Sequence, residues 1–250
     1  MLNHLRELLA SFALGVGRKF KIWRGAPGIV PATCQIPGLR DHYRSLGLSG
    51  DGFFVEIGGF DGETWSNTSF LADEGWTGLY VEPVPGHARM IVARHFLNRV
   101  YVEQRAVMPE PGVMTFSSMG ALSTAIADNR RAYREIDWAK EIEAQAQDIE
   151  VIGEPLEAIF ARNRVPVDFD LLVVDVEGAE EAVFTALLDS RWSPRIIVAE
   201  LEDEHESFSK FADIRASHGR ARAAIVAAGY RTHHRDPINT IFVRENPASA

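Results

Sequence analysis

Apolar residues along the chain gather into short runs. Between the runs lie more polar stretches in which apolar positions recur every three or four residues. The runs at 53–57 (FFVEI), 78–82 (GLYVE), 100–102, 169–174 (FDLLVV) and 195–200 (RIIVAE) have strand length and no alternation, the pattern of strands buried on both faces. Residues 64–73 and 87–97 are predicted helices. So is the segment EGAEEAVFTALLDS, with Ala179, Val183, Ala186 and Leu187 on one face. A long polar helix is expected over 206–228, stopped by Gly229. Strands that alternate with helices of this length make βαβ units and a parallel sheet. The tail YRTHHRDPINTIFVRE reads as an antiparallel hairpin.

Two segments interrupt this rhythm. Residues 104–118 contain the turn Pro109-Glu110-Pro111-Gly112 and predict a small β excursion. Residues 119–150 are polar and predict a helical insertion between the third and fourth strands of the sheet. The expected organisation is an N-terminal helix with an irregular, Pro/Gly-rich lead-in over 1–45, then one α/β domain over 46–246. The apolar stretch 8–16 is too short to span a bilayer, and Arg6 and Glu7 do not fit a signal peptide. Weak amphipathicity, followed by Arg18, Lys19, Lys21 and Arg24, suits a helix packed on the domain or one that docks on a membrane surface or partner.

Composition narrows the function. The 250 residues carry a net charge of −9, which argues against a nucleic-acid groove, because affinity for a polyanion comes from Lys and Arg. Cys34 is the only cysteine, so no intrachain disulfide forms, which fits a reducing, cytoplasmic setting.

In an open α/β sheet, ligands bind beyond the carboxyl ends of the strands. Acids stand at four of those ends: Glu56, Glu82, Asp175 with Glu177, and Glu200 with Glu202. After the first strand, Gly58, Gly59 and Gly62 permit a tight turn, but Phe60 occupies the place of the second glycine of a dinucleotide fingerprint, which weakens an NAD-dependent oxidoreductase reading. Glu56 and Asp61 would repel a pyrophosphate and suit a cationic cofactor. Glu82, followed by Pro83, is placed to accept both hydroxyls of a ribose. A nucleoside with a positive charge and no obligatory phosphate describes S-adenosylmethionine.

The segments FFVEIGGFDGETWSNTSFLADEGWTGLYVEPVPG and DLLVVDVEGAEEAVF together resemble the FkbM family of S-adenosylmethionine-dependent methyltransferases, over about residues 51–244. The resemblance implies a Rossmann-like class I methyltransferase fold with a doubly wound, mostly parallel seven-stranded sheet and an antiparallel C-terminal hairpin. It also implies O-methylation of a sugar, glycan or glycosylated natural product. Carried onto this chain, it assigns Glu56, Gly58, Gly59, Asp61 and Gly62 to the methionine-side loop. Trp65, Ser66 and Asn67 would open the next helix, and Glu82 and Pro83 would stand at the ribose. The adenine pocket is expected near Gln104–Ala106, with Ala106 in its wall. The reaction belongs after the fourth strand, with Asp175 the first candidate for general base or substrate clamp, then Glu177, Glu200 and His205. Asp175 with Glu200 or Glu202 offers hard oxygen ligands of the kind Mg²⁺ takes, but no closely spaced ligand set stands out, and a metal is not expected. A non-catalytic scaffold that keeps the fold is the alternative from a different class.

Overall fold

The computed structural model describes residues 2–245. In chain order the elements are α1 (Leu2–Trp23), α2 (Leu39–Ser45), β1 (Phe53–Ile57), α3 (Ser69–Glu74), β2 (Thr77–Val81), α4 (Pro85–Arg94) and β3 (Arg99–Glu103). Then follow β4 (Ala106–Val107), β5 (Gly112–Ser118), α5 (Ala127–Glu135), α6 (Lys140–Glu143), β6 (Gln147–Glu154) and α7 (Leu156–Arg162). The chain continues with β7 (Leu171–Val174), α8 (Glu180–Leu188), β8 (Ile196–Glu200), a 3₁₀ turn (Glu206–Phe208), α9 (Ala212–Ala227), β9 (Tyr230–Arg235) and β10 (Asn239–Arg244).

Seven strands form one sheet in the order β3-β2-β1-β7-β8-β10-β9. The first five run parallel, and β10 is antiparallel to both β8 and β9. This is the doubly wound sheet with a C-terminal hairpin that the apolar runs predict. Successive residues of a strand point to opposite faces, and here both faces are covered. Val55, Ile57, Leu172, Val174 and Ile197 pack under α7, α8 and α9, whereas Phe54, Tyr80, Val173 and Val198 pack under α2, α3 and α4. Burial on both faces is why the parallel strands read as nearly continuous apolar runs, with Glu56 the buried acid at the cavity end of β1.

Several boundaries differ from expectation. The helix expected at 64–73 begins only at Ser69. Asp61 first closes a turn by accepting from the backbone N–H groups of Glu63 (2.8 Å) and Thr64 (2.6 Å), and Trp65 then takes a left-handed φ of 57° that no helix accommodates. The helix expected at 87–97 is α4, which starts two residues earlier with Pro85 in its first turn and ends at Arg94. The long polar helix at 206–228 is a 3₁₀ turn followed by α9; Phe208 and Phe211 turn inward to pack against Tyr133 and Ile136 and break the run. The insertion is not wholly helical. After α5 and α6 it returns as β6, which lies between β4 and β5 in a second, three-stranded sheet.

The chain reverses its winding between β1 and β7, and crevices at such switch points are where open α/β sheets bind ligands. Gly58 joins β1 to that crevice. It has φ +89°, and a Cβ on it would lie 1.6 Å from the backbone oxygen of Asp175. Gly58→Ala is therefore expected to destabilise the protein by at least about 2 kcal/mol, read as a loss in denaturant midpoint, because a backbone oxygen cannot yield as a side-chain tip does. An unchanged midpoint would show that the β1–β7 junction is looser than this geometry requires.

Candidate active site

A cavity of about 800 Å³ opens at the carboxyl ends of β1, β2, β7 and β8, with the insertion as its roof. Volumes of this order hold a nucleoside-sized cofactor together with a small acceptor. Of the residues the sequence singles out, Glu56, Gly58, Gly59, Trp65, Ser66, Glu82, Pro83, Ala106, Asp175, Glu177, Glu200 and His205 all line it. Asp61, Gly62 and Asn67 stand off the wall. Asp61 is consumed by its turn, Gly62 backs onto His95, and Asn67 faces Tyr43 and Cys34. Trp65, Ser66 and Asn67 do not open a helix; Ser66 Oγ accepts from the N–H groups of Thr68 and Ser69, so the start of α3 is satisfied internally.

The backbone around the cavity is strained. Phe60 (φ 45°), Trp65 (φ 57°) and Glu177 (φ 53°) are non-glycine residues in the left-handed region, and all three line the cavity. Strain of this kind costs on the order of 1–3 kcal/mol per residue and concentrates at functional sites.

Each acid has its own setting. Glu56, buried at the end of β1, accepts from Ser66 Oγ (3.0 Å) and from Thr68 Oγ1. Burial pushes its carboxyl up to about 7, although the two hydroxyls pull the other way. Glu82 accepts from the N–H groups of Phe60 (3.0 Å) and Val84 (2.9 Å), one on each oxygen, which leaves a lone pair on each. Asp175 is held by the sheet, its N–H donating to Ile57 O (3.0 Å). Its carboxyl is raised by burial, and the neighbouring Glu200 carboxyl works against that rise. Glu200 is raised well above the ordinary range by burial and by the charge and hydrogen bond of Asp175. Glu177 is raised by burial and by the charges of Asp175 and Glu202, while it accepts a hydrogen bond from the Tyr133 hydroxyl. Glu202 is pushed up to about 8 by burial and by Glu180 and Asp175.

Oxygens of Asp175, Glu177 and Glu200 lie within 4.8 Å of one another, a spacing that suits a hard divalent cation. A closely spaced ligand set, which the sequence does not reveal, is thus present. Asp175 and Glu177 follow β7 and Glu200 ends β8, so the closeness of their oxygens depends on how the two strand ends pack and is not visible as spacing in the sequence. Tyr133, Trp138 and His87 also line the cavity and are not singled out by the sequence as site residues. The one available signal for Tyr133 is an aromatic residue on the inner face of an otherwise polar helix.

Other polar side chains have structural roles. Glu180, in the first turn of α8, is buried and pairs with His218 (3.1 Å) while accepting from the N–H groups of Val176 and Gly178. Arg130 and Arg134 both bond Glu143 (2.9 Å each) and so are occupied within the insertion. His233 and His234 meet His42 away from the cavity. Cys34 is half-buried, and burial raises its thiol, which makes it a poor nucleophile.

The Methyltransferase FkbM domain matches residues 56–232. The chain belongs to the FkbM methyltransferase family. Membership makes it an S-adenosylmethionine-dependent methyltransferase and decides against an oxidoreductase. No curated protein matches the sequence. Among solved structures, an O-methyltransferase from Bacillus cereus in complex with S-adenosylhomocysteine is 15% identical, with 94% of this chain and 91% of that chain covered and a TM-score of 0.48. Fibrillarin from Aeropyrum pernix with bound S-adenosylmethionine is 13% identical, with 77% and 66% covered and a TM-score of 0.41. The donor set of this FkbM domain fits that cofactor: the acids at the strand ends suit its cationic end, and the spare lone pairs of Glu82 suit a pair of hydroxyls.

Proposed function

We propose that this methyltransferase acts on a hydroxyl group of a sugar, glycan or glycosylated small molecule. The observation that carries the reading is the cluster of Asp175, Glu177 and Glu200 on the cavity wall, with oxygens within 4.8 Å of one another, which puts a proton acceptor where acceptor and cofactor would meet. A hydroxyl is a weak nucleophile at neutral pH, and its proton must leave as the new C–O bond forms. When bound, S-adenosylmethionine supplies a methyl group already activated by its sulfonium. The residues of the chain do the rest. Glu82 orients the ribose, the Gly58–Gly59 turn lets the backbone approach, and Asp175 takes the hydroxyl proton. Much of the acceleration comes from holding the two reactants in line. Trp65 and Trp138, both half-exposed on the lining, offer flat apolar faces of the kind on which sugar rings stack.

The test is transfer of a labelled methyl group to a panel of free sugars, glycosides, amines and carboxylic acids. Label in a base-stable ether on a sugar is the expected product. Label in an amine or a base-labile ester would overturn the hydroxyl reading, and no transfer to any acceptor, with cofactor bound, would favour a scaffold. A second reading has support in the close oxygens of Asp175, Glu177 and Glu200: a divalent cation held there would lower the pKa of the acceptor hydroxyl. Activity lost to a chelator and restored by Mg²⁺ selects that reading.

A further inference from the structure

Helix α1 packs one face on the domain and leaves a second apolar face bare. The packed face carries Gly15, whose added Cβ would fall 2.0 Å from the backbone oxygen of Arg94, and Arg18, which bonds Glu63. Lys19 donates to Asp73 O (3.1 Å). Beside that face, Leu5, Leu9, Phe12, Val16, Phe20 and Trp23 recur at helical spacing in one stripe, and each is between 38% and 68% exposed. Phe96, itself 66% exposed, extends the stripe through its contact with Phe12 (5.5 Å between rings). A contiguous apolar surface of this extent marks an interaction site rather than scattered surface residues.

Charge decides what covers it. Arg6, Lys21 and Arg24 flank the stripe on its solvent side, in a protein whose net charge is −9. Arg6 and Lys21 make no ion pair among the described residues, and Arg24 lies over the Phe20 ring. A second copy docked on this face in twofold fashion would set these cations against their own counterparts, with only Glu7 to offset them. An anionic bilayer surface complements them instead, and Phe and Trp beside Lys and Arg are what interfacial helices use. The helix is about 33 Å long, enough to lie in the interface. No helix among the described residues is long and apolar enough to cross a membrane.

We infer that α1 is an in-plane anchor that seats the protein on anionic lipid. Because Arg18 ties α1 to Glu63, two residues from Trp65 on the cavity wall, the anchor holds the site at a set position relative to the surface.

The full chain should float with phosphatidylcholine vesicles containing phosphatidylglycerol on the order of tenfold or more better than with phosphatidylcholine alone, and salt should weaken that binding. The combined variant Leu5→Gln, Leu9→Gln, Phe20→Gln should lose flotation while its thermal melt is unchanged, since all three side chains are exposed. Arg6→Gln with Lys21→Gln and Arg24→Gln should remove the preference for the anionic lipid. Absence of flotation, equal flotation with both vesicles, or flotation that survives the apolar substitutions would overturn the proposal. So would a concentration-dependent dimer, seen by sedimentation, that the apolar variant abolishes in protein that does not float.

Discussion

Asp175→Asn is expected to lower turnover by about 10²–10⁴-fold, the usual worth of a general base, while S-adenosylmethionine still binds within a few-fold. The substitution is nearly isosteric, so the sheet-held backbone remains, and only the ability to take a proton is lost. The pH profile carries the sharper test. Burial raises the Asp175 carboxyl above the ordinary aspartate range, and the base must be ionised to act. The rate at limiting substrate should therefore be highest on the alkaline side and fall as pH drops through that raised value. In the Asn variant the residual rate should lose this limb. Glu200→Gln is the informative companion: it leaves the Asp175 carboxyl in place to take a proton, so the limb should persist and the loss should be smaller. Turnover of the Asn variant within roughly threefold of the parent would remove Asp175 from proton transfer.

What the sequence made legible follows from locality. The strands of the main sheet are buried on both faces, so their composition alone marks them. The acids at their ends are visible because each directly follows such a run. The cavity joins residues that no local pattern relates: Tyr133 reaches Glu177 across 44 positions, and Asp175 meets Glu200 from a neighbouring strand. Strand β6 was hidden for a different reason. It belongs to a small sheet with one solvated face, so Asp148 and Glu150 point outward and, with the exposed Gln147 at the strand's start, give it the composition of a polar insertion, although Ile149, Val151 and Gly153 alternate with them on the inner side. The helix at 64–73 failed at its first turn. There the side chains of Asp61 and Ser66 bond the backbone in place of helical carbonyls, and the residues so displaced include Trp65, which lines the cavity.

The second large effect lies behind the glycine loop. Arg94, 1% exposed, is the hub that joins α4 to α3 and to the loop. It grips Asp73 with two bonds (3.0 and 2.7 Å) and also bonds Glu63 (2.8 Å), while Asn98 donates to Asp73 (2.9 Å). Burial alone would lower the Arg94 pKa, but the hydrogen bonds and charge of Asp73, then of Glu63, more than offset this, so the guanidinium is firmly cationic. Arg94→Met keeps most of the side-chain volume and removes the charge. Asp73, itself 1% exposed, is then an anion without its cation, and breaking a buried pair from one side costs about 3–5 kcal/mol. For a chain of this size that corresponds to a fall in melting temperature on the order of ten degrees. Glu63 would also lose one of its two arginines and keep only Arg18, so the loop that carries Trp65 should loosen and cofactor affinity should fall with it. The double variant Arg94→Met, Asp73→Leu separates the causes. With no orphaned charge left it should regain most of the stability, because a buried ion pair replaced on both sides by apolar groups is often neutral. A single variant that melts within a degree or so of the parent would mean that water reaches Asp73 and that the hub is not the brace this geometry describes.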